Sequence, residues 1–200
     1  MTKNQILYAL LFSLFGVCFA QNPGNNQSDL NRHLKQVIDN ISKSKSPSKI
    51  SRATLDTLVN LYCQYDKLRS QGLETAFPGD NGLQSTYSAF NNLAVAAKRD
   101  TLFIRVLINL ESCIRTSAEL SESMPCFVQS AIKANLVGFL KMYQSMNQAA
   151  RNELKSSLDW PCDELDLKKV FNDAVPHIKD KQLKVLAVQI ADSLHANGEK

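Results

Sequence analysis

The sequence predicts an all-α, single-domain bundle of about seven helices around a central apolar helix, stapled by two disulfides, on three observations. Apolar residues recur at spacings of three and four along most of the chain, and no segment shows sustained two-residue alternation rich in Val, Ile and Thr. Four cysteines remain once an N-terminal leader is set aside. The 200 residues are 44% hydrophobic and 21% charged, with 7 Gly and 6 Pro, which excludes a disordered, collagenous or low-complexity chain. The formal net charge of +4 is too small to imply nucleic acid or an acidic membrane face as a partner.

The first element is the leader. Lys3 is the only charge in the first 20 residues, Ile6–Phe19 is nearly continuous apolar sequence, and Cys18 and Ala20 place small residues before Gln21. A basic start, a short apolar core and a small-x-small ending describe a secretory signal peptide over residues 1–20. Its core is shorter than the roughly 20 residues a bilayer span needs, and no later stretch comes close, so no transmembrane segment is expected. The expectation is a secreted, extracellular chain with a flexible mature N-terminus over 21–28 and a helical domain over 29–200.

In an oxidising compartment Cys63, Cys113, Cys126 and Cys162 read as disulfides, since there is no CxxC and no Cys/His cluster for zinc. Four cysteines allow three pairings, and the sequence alone does not choose. If Cys126 and Cys162 each open a helix, those ends can meet, which leaves Cys63 with Cys113. Asn26-Gln27-Ser28 and Asn40-Ile41-Ser42 are N-glycosylation sequons, expected on the surface of an exported chain.

From Asp29, Leu30, Leu34, Val37, Ile38 and Ile41 mark the first helix. Ser42–Lys49, alternating Ser and Lys around Pro47, reads as a solvated linker, with a basic docking patch as the sharper alternative. Leu55, Leu58, Leu61, Tyr62, Tyr65 and Leu68 define a second helix ending at Gly72, and Pro78–Gly82 is dense turn sequence. Tyr87, Phe90, Leu93, Ala94 and Ala97 mark a third helix over about Gln84–Lys98, with Asp100 placed to cap the next. Phe103, Val106, Leu107, Leu110 and Cys113 carry that strongly amphipathic fourth helix, and polar Ser117–Ser123 reads as a turn.

Pro125 suits a first helical turn, so a helix is expected from about Ser123 to Met146. Apolar residues surround most of its circumference, the pattern of a helix buried among others, and Ala131, Ala134 and Gly138 form a small-residue row. Shorter helical patterns follow around Leu154 and Leu158, around Val170 and Phe171, and from Leu183 to Leu194 after Asp180.

No catalytic pattern emerges: His33, His177 and His195 lack partners at metal spacing, and there is no HExxH, GxSxG elbow or glycine-rich phosphate loop. No metal or cofactor is therefore expected, and the chain is read as a non-enzyme. Asp159, Asp163, Glu164 and Asp166 fit no calcium loop and read as acids favoured at a helix start. Lys98-Arg99 is a dibasic pair, either a processing site or simply exposed.

One feature carries a positive expectation. Phe139, Met142, Tyr143 and Met146 of the central helix, with Phe90, Phe103 and Leu107, either pack on one another or line an apolar cavity in which Asn135 anchors a polar head. The cavity is the basis of the functional expectation: a secreted, non-enzymatic carrier of an apolar small molecule or lipid. The alternative is a helical protein-interaction factor, a secreted signal or inhibitor, acting through an exposed face over a solid core.

Overall fold

The computed structural model describes residues 23–73, 82–163 and 165–195; the expected leader, the Pro78–Asn81 turn and Glu164 lie outside them. Nine α-helices are found among the described residues and no strand. In chain order they are α1 (Pro23–Ser42), α2 (Arg52–Ser70), α3 (Gly82–Ala96), α4 (Leu102–Cys113), α5 (Ala118–Ala134), α6 (Leu136–Ser145), α7 (Gln148–Leu158), α8 (Leu167–Ala174) and α9 (Lys181–Ser193). Two 3₁₀ turns, Pro47–Lys49 and Val175–His177, sit in the connections. The all-α bundle with two disulfides is thus the architecture.

α1 begins at Pro23, six residues before the expected Asp29, so the segment expected to be flexible is helical from its third residue. Proline costs nothing in a first helical turn, where its missing N–H has no partner to lose. Leu30, Leu34, Ile38 and Ile41 form the buried stripe of α1, which packs on α2 and α3. Asn92 on α3 donates to the carbonyls of Ile41 at 2.9 Å and Ser42 at 3.1 Å, satisfying two acceptors that the end of α1 leaves open. α2 starts on Ser51, whose hydroxyl accepts from the Thr54 N–H, and stops as expected at Gly72, whose φ of +72° favours glycine.

The centre of the bundle differs from expectation in two places. Ser117–Ser123 is not a turn, because α5 already begins at Ala118, and Pro125 lies inside it rather than in its first turn. Leu120, Met124, Val128 and Ile132 recur every fourth residue, and all are essentially fully buried. Burying each adds roughly 1.5–3 kcal/mol, which together outweighs the roughly 3 kcal/mol that an interior proline costs. The expected single helix to Met146 is also divided at Asn135, whose backbone leaves the helix (φ −145°, ψ 63°). Its side-chain oxygen accepts from the Gly138 N–H at 3.0 Å and caps α6, while its amide donates to the Ala97 carbonyl at 2.8 Å. The hub is therefore α5, which packs against α3, α4, α6, α7 and α8.

The disulfides join Cys63 to Cys113 and Cys126 to Cys162. The first ties α2 to the end of α4; the second ties the middle of α5 to the loop before α8. Neither Cys126 nor Cys162 opens a helix, so the pairing matches the favoured one for a different reason: α5 and α7 pack together and bring the loop after α7 back across α5. The loops closed span 50 and 36 residues, which is about 4 kcal/mol apiece in the chain-entropy model. No described helix is long and apolar enough to cross a membrane.

Candidate functional site

Of the eight residues expected around a cavity, Phe90, Phe103, Leu107, Phe139 and Met142 belong to one continuous core, and Tyr143 and Met146 pack against it. Phe90 is fully buried and meets Tyr62 at 5.8 Å and Phe127 at 5.6 Å between ring centres. Phe139, also fully buried, meets Tyr143 at 5.5 Å and Phe171 at 6.3 Å, a cluster built from α6 and α8. Phe103, Leu107 and Met142 are buried in the same continuous core. Tyr143 is held from outside by Arg151, whose guanidinium lies 5.2 Å from the ring centre and donates to the Tyr143 and Gln144 carbonyls. Asn135 spends its side chain on the cap and on Ala97. Gly138 marks a close approach: a Cβ there would collide with the Thr101 methyl group and the Asn135 carboxamide.

Of the eight, Met146 alone lines one of the clefts found among the described residues, a cleft of about 410 Å³ between α4 and α7. Both helices pack on α5, and the space opens between their outer faces. The reason lies in the sequence of α4. Phe103, Ile104, Val106, Leu107 and Leu110 turn inward, which leaves Arg105, Ile108, Asn109 and Glu111 toward the gap. α7 is short and polar and contributes Ala150, Glu153, Leu154 and Ser157. The lining is two-sided: Ile108, Met146, Ala150 and Leu154 are apolar, while Arg105 and Arg115 bring positive charge.

Its polar groups are unequally engaged. Ser157 donates to Glu111 Oε1 at 2.5 Å, and burial holds the Glu111 carboxyl above the ordinary carboxylate range, with that hydrogen bond opposing in part. Arg115 is braced by the Ser112 carbonyl at 2.9 Å, and its backbone N–H donates to Asp66. The Arg105 guanidinium makes no hydrogen bond or ion pair among the described residues and also borders a second cleft, about 370 Å³, between α2 and α4 beside Cys63. The sequence signal for this cleft was available: within Leu102–Cys113 the charged residues are Arg105 and Glu111 alone, both off the buried stripe.

His33 and His177 are exposed. His195 does have a partner: its Nδ1 lies 2.6 Å from Asp159 Oδ2, and its backbone N–H donates to Asp159 Oδ1 at 2.9 Å, so the pair ties the end of α9 to the end of α7. Asp166 caps α8 by accepting from the Lys169 N–H, as an acid at a helix start should. No group of three or more His, Cys, Asp or Glu among the described residues is arranged to hold a metal. Asn40 is exposed on α1, and Asn26 lies in its first turns. Compared with protein-family models, curated proteins and solved structures, the chain matches none.

Proposed function

We propose that the protein is a secreted, non-enzymatic binding protein that carries a small apolar molecule or lipid with a polar head, and that the cleft between α4 and α7 takes it. The supporting observation is the lining of that cleft, where apolar Ile108, Met146 and Ala150 lie beside the unpartnered guanidinium of Arg105. Ligand sites commonly combine an apolar surface with a few polar groups that fix orientation, and spaces between helices are frequent hosts. This moves the carrier reading from the packed surroundings of Phe139 to the outside of α4. The leader sequence, the cysteine count and the sequons at Asn26 and Asn40 support export and glycosylation.

The test is titration of the full mature chain with a dansyl-labelled undecanoic acid. Saturable binding at one ligand per chain is expected, and Ala150→Trp, which fills the cleft from the α7 side, should weaken it by about tenfold or more. Binding that ignores this substitution would move the ligand elsewhere. A second reading, a protein-interaction factor, is favoured by the outer face of α9, where Val185 and Val188 are both exposed. It gains ground if the dansyl acid does not bind at all and if Val185→Asp with Val188→Asp abolishes a protein contact without altering the melt.

A further inference from the structure

Two basic segments that the sequence keeps about fifty residues apart meet in space. Lys45 and Lys49, from the Ser/Lys connection after α1, and Lys98 and Arg99, from the turn after α3, line one cleft of about 300 Å³. Arg99 closes the junction by donating to Ser48 Oγ at 3.2 Å. None of the nine lining residues is acidic, and none of the four cations has an ion-pair partner among the described residues. The acids nearest in sequence are engaged elsewhere: Asp39 with Lys35 and Lys43, and Asp100 with the Leu102 N–H. The whole chain carries a formal net charge of +4, so outside this cleft its charges cancel.

We infer that this cleft docks a sulfated polysaccharide chain. Like charges gathered without counter-charge destabilise the surface that holds them and raise the local concentration of anions. An anionic polymer, whose charges repeat along its length, can meet cations contributed by two segments, and basic clusters of this kind are a recognised footprint of heparin-like chains. Nucleic acid is disfavoured because no aromatic side chain lines the cleft to stack on a base. A bilayer surface is disfavoured because the cations line a concavity in which Val95 is the one exposed large apolar side chain, too little to bury in a headgroup layer. The choice of a polysaccharide over an intracellular polyanion rests on the export reading. The binding measurement does not, so mass spectrometry of the natural N-terminus tests export separately.

The experiment is fluorescence anisotropy of a labelled, fully sulfated heparin hexasaccharide with the purified mature chain over a salt series. Two variants lose the same charge: K45Q/K49Q/K98Q/R99Q in the cleft, and K133Q/K141Q/K181Q/K184Q at exposed positions away from it. Expected is a loss of about tenfold or more in the first and less than about threefold in the second, with the salt slope falling by about one for each sulfate contact removed. If the first variant melts early, K45Q/K98Q should still lose about threefold. Equal losses in the two variants, or undiminished binding of the desulfated hexasaccharide, overturn the proposal. So does a wild-type chain that ignores the hexasaccharide while binding phosphatidylserine vesicles through the same four residues.

Discussion

The surroundings of Phe139 and the space between α4 and α7 make an instructive pair. Both lie against the same hub helix, and both combine aliphatic side chains with methionine, yet the first is buried among aromatic rings and the second is open to solvent. What separates them is the partner each meets. α6 meets Phe171 of α8 and the buried face of α9, so Leu136, Phe139, Leu140 and Met142 are covered. α4 turns its own apolar stripe inward, and the neighbour across its outer face is α7, short and rich in small and polar residues. Apolar density on a helix therefore marks where the interior closes. An opening is found where a half-polar face meets a neighbour too small to cover it.

The strongest way to break this contrast is Phe139→Ala. Truncating a fully buried phenylalanine leaves a cavity its neighbours only partly collapse into, and about 3–5 kcal/mol should be lost. That corresponds to a melting point lower by about 10 °C in thermal denaturation followed by circular dichroism. A shift under about 3 °C would mean that the ring borders free space, and the carrier reading would return to the interior. Ala150→Trp is the matched change on the open side: it adds two rings to the cleft wall and should move the melt by no more than about 2 °C.

Gly138→Ala probes the same interior at a close contact. The added methyl group meets Thr101 from the turn before α4 and the Asn135 carboxamide that caps α6, and neither can move without losing packing or a hydrogen bond. A loss of about 1–3 kcal/mol is expected from overpacking, against the small gain that alanine brings to most helices. A neutral or stabilised variant would show that α6 and the α3–α4 turn are not in close contact.

How much of this was legible follows from which forces are local. The amphipathic stripes of α1, α2, α4 and α9 could be read because burial repeats at helical spacing, as at Leu30, Leu34, Ile38 and Ile41. Caps on side chains next to a helix start, such as Asp180 accepting from Gln182 and Leu183, were equally legible. The division at Asn135 was not, because Leu136 and Val137 continue the apolar run and the second bond of Asn135 goes to Ala97, 38 residues away. Pro125 misled for the opposite reason: its local preference for a first turn was overridden by a buried stripe on both sides of it. The clefts were legible by halves: the charged, outward side of α4 could be read, but the pairs that close each space, Arg105 with Ala150 and Lys45 with Lys98, are distant and no local spacing encodes them.

The smallest effect has the opposite sign to the others. Glu111 sits at the inner edge of the α4–α7 cleft, and burial raises its carboxyl above the ordinary value of 4.5. A raised pKa means the folded chain binds this proton more readily than the unfolded chain. The contribution to stability is therefore complete at pH below the ordinary carboxylate value and is lost as pH rises through the raised one. At neutral pH the ionised carboxylate is a liability that the Ser157 hydroxyl offsets only in part. Glu111→Gln keeps an oxygen for Ser157 and removes the charge, so the variant should melt about 1–2 °C above the wild-type chain at about pH 7, with no advantage near pH 3. An unchanged difference across that range would show that Glu111 is solvated in the folded chain. Around Phe139, where a ring is fully buried among apolar neighbours, truncation loses stability; at the cleft, where an acid is held partly out of water, there is stability still to be gained.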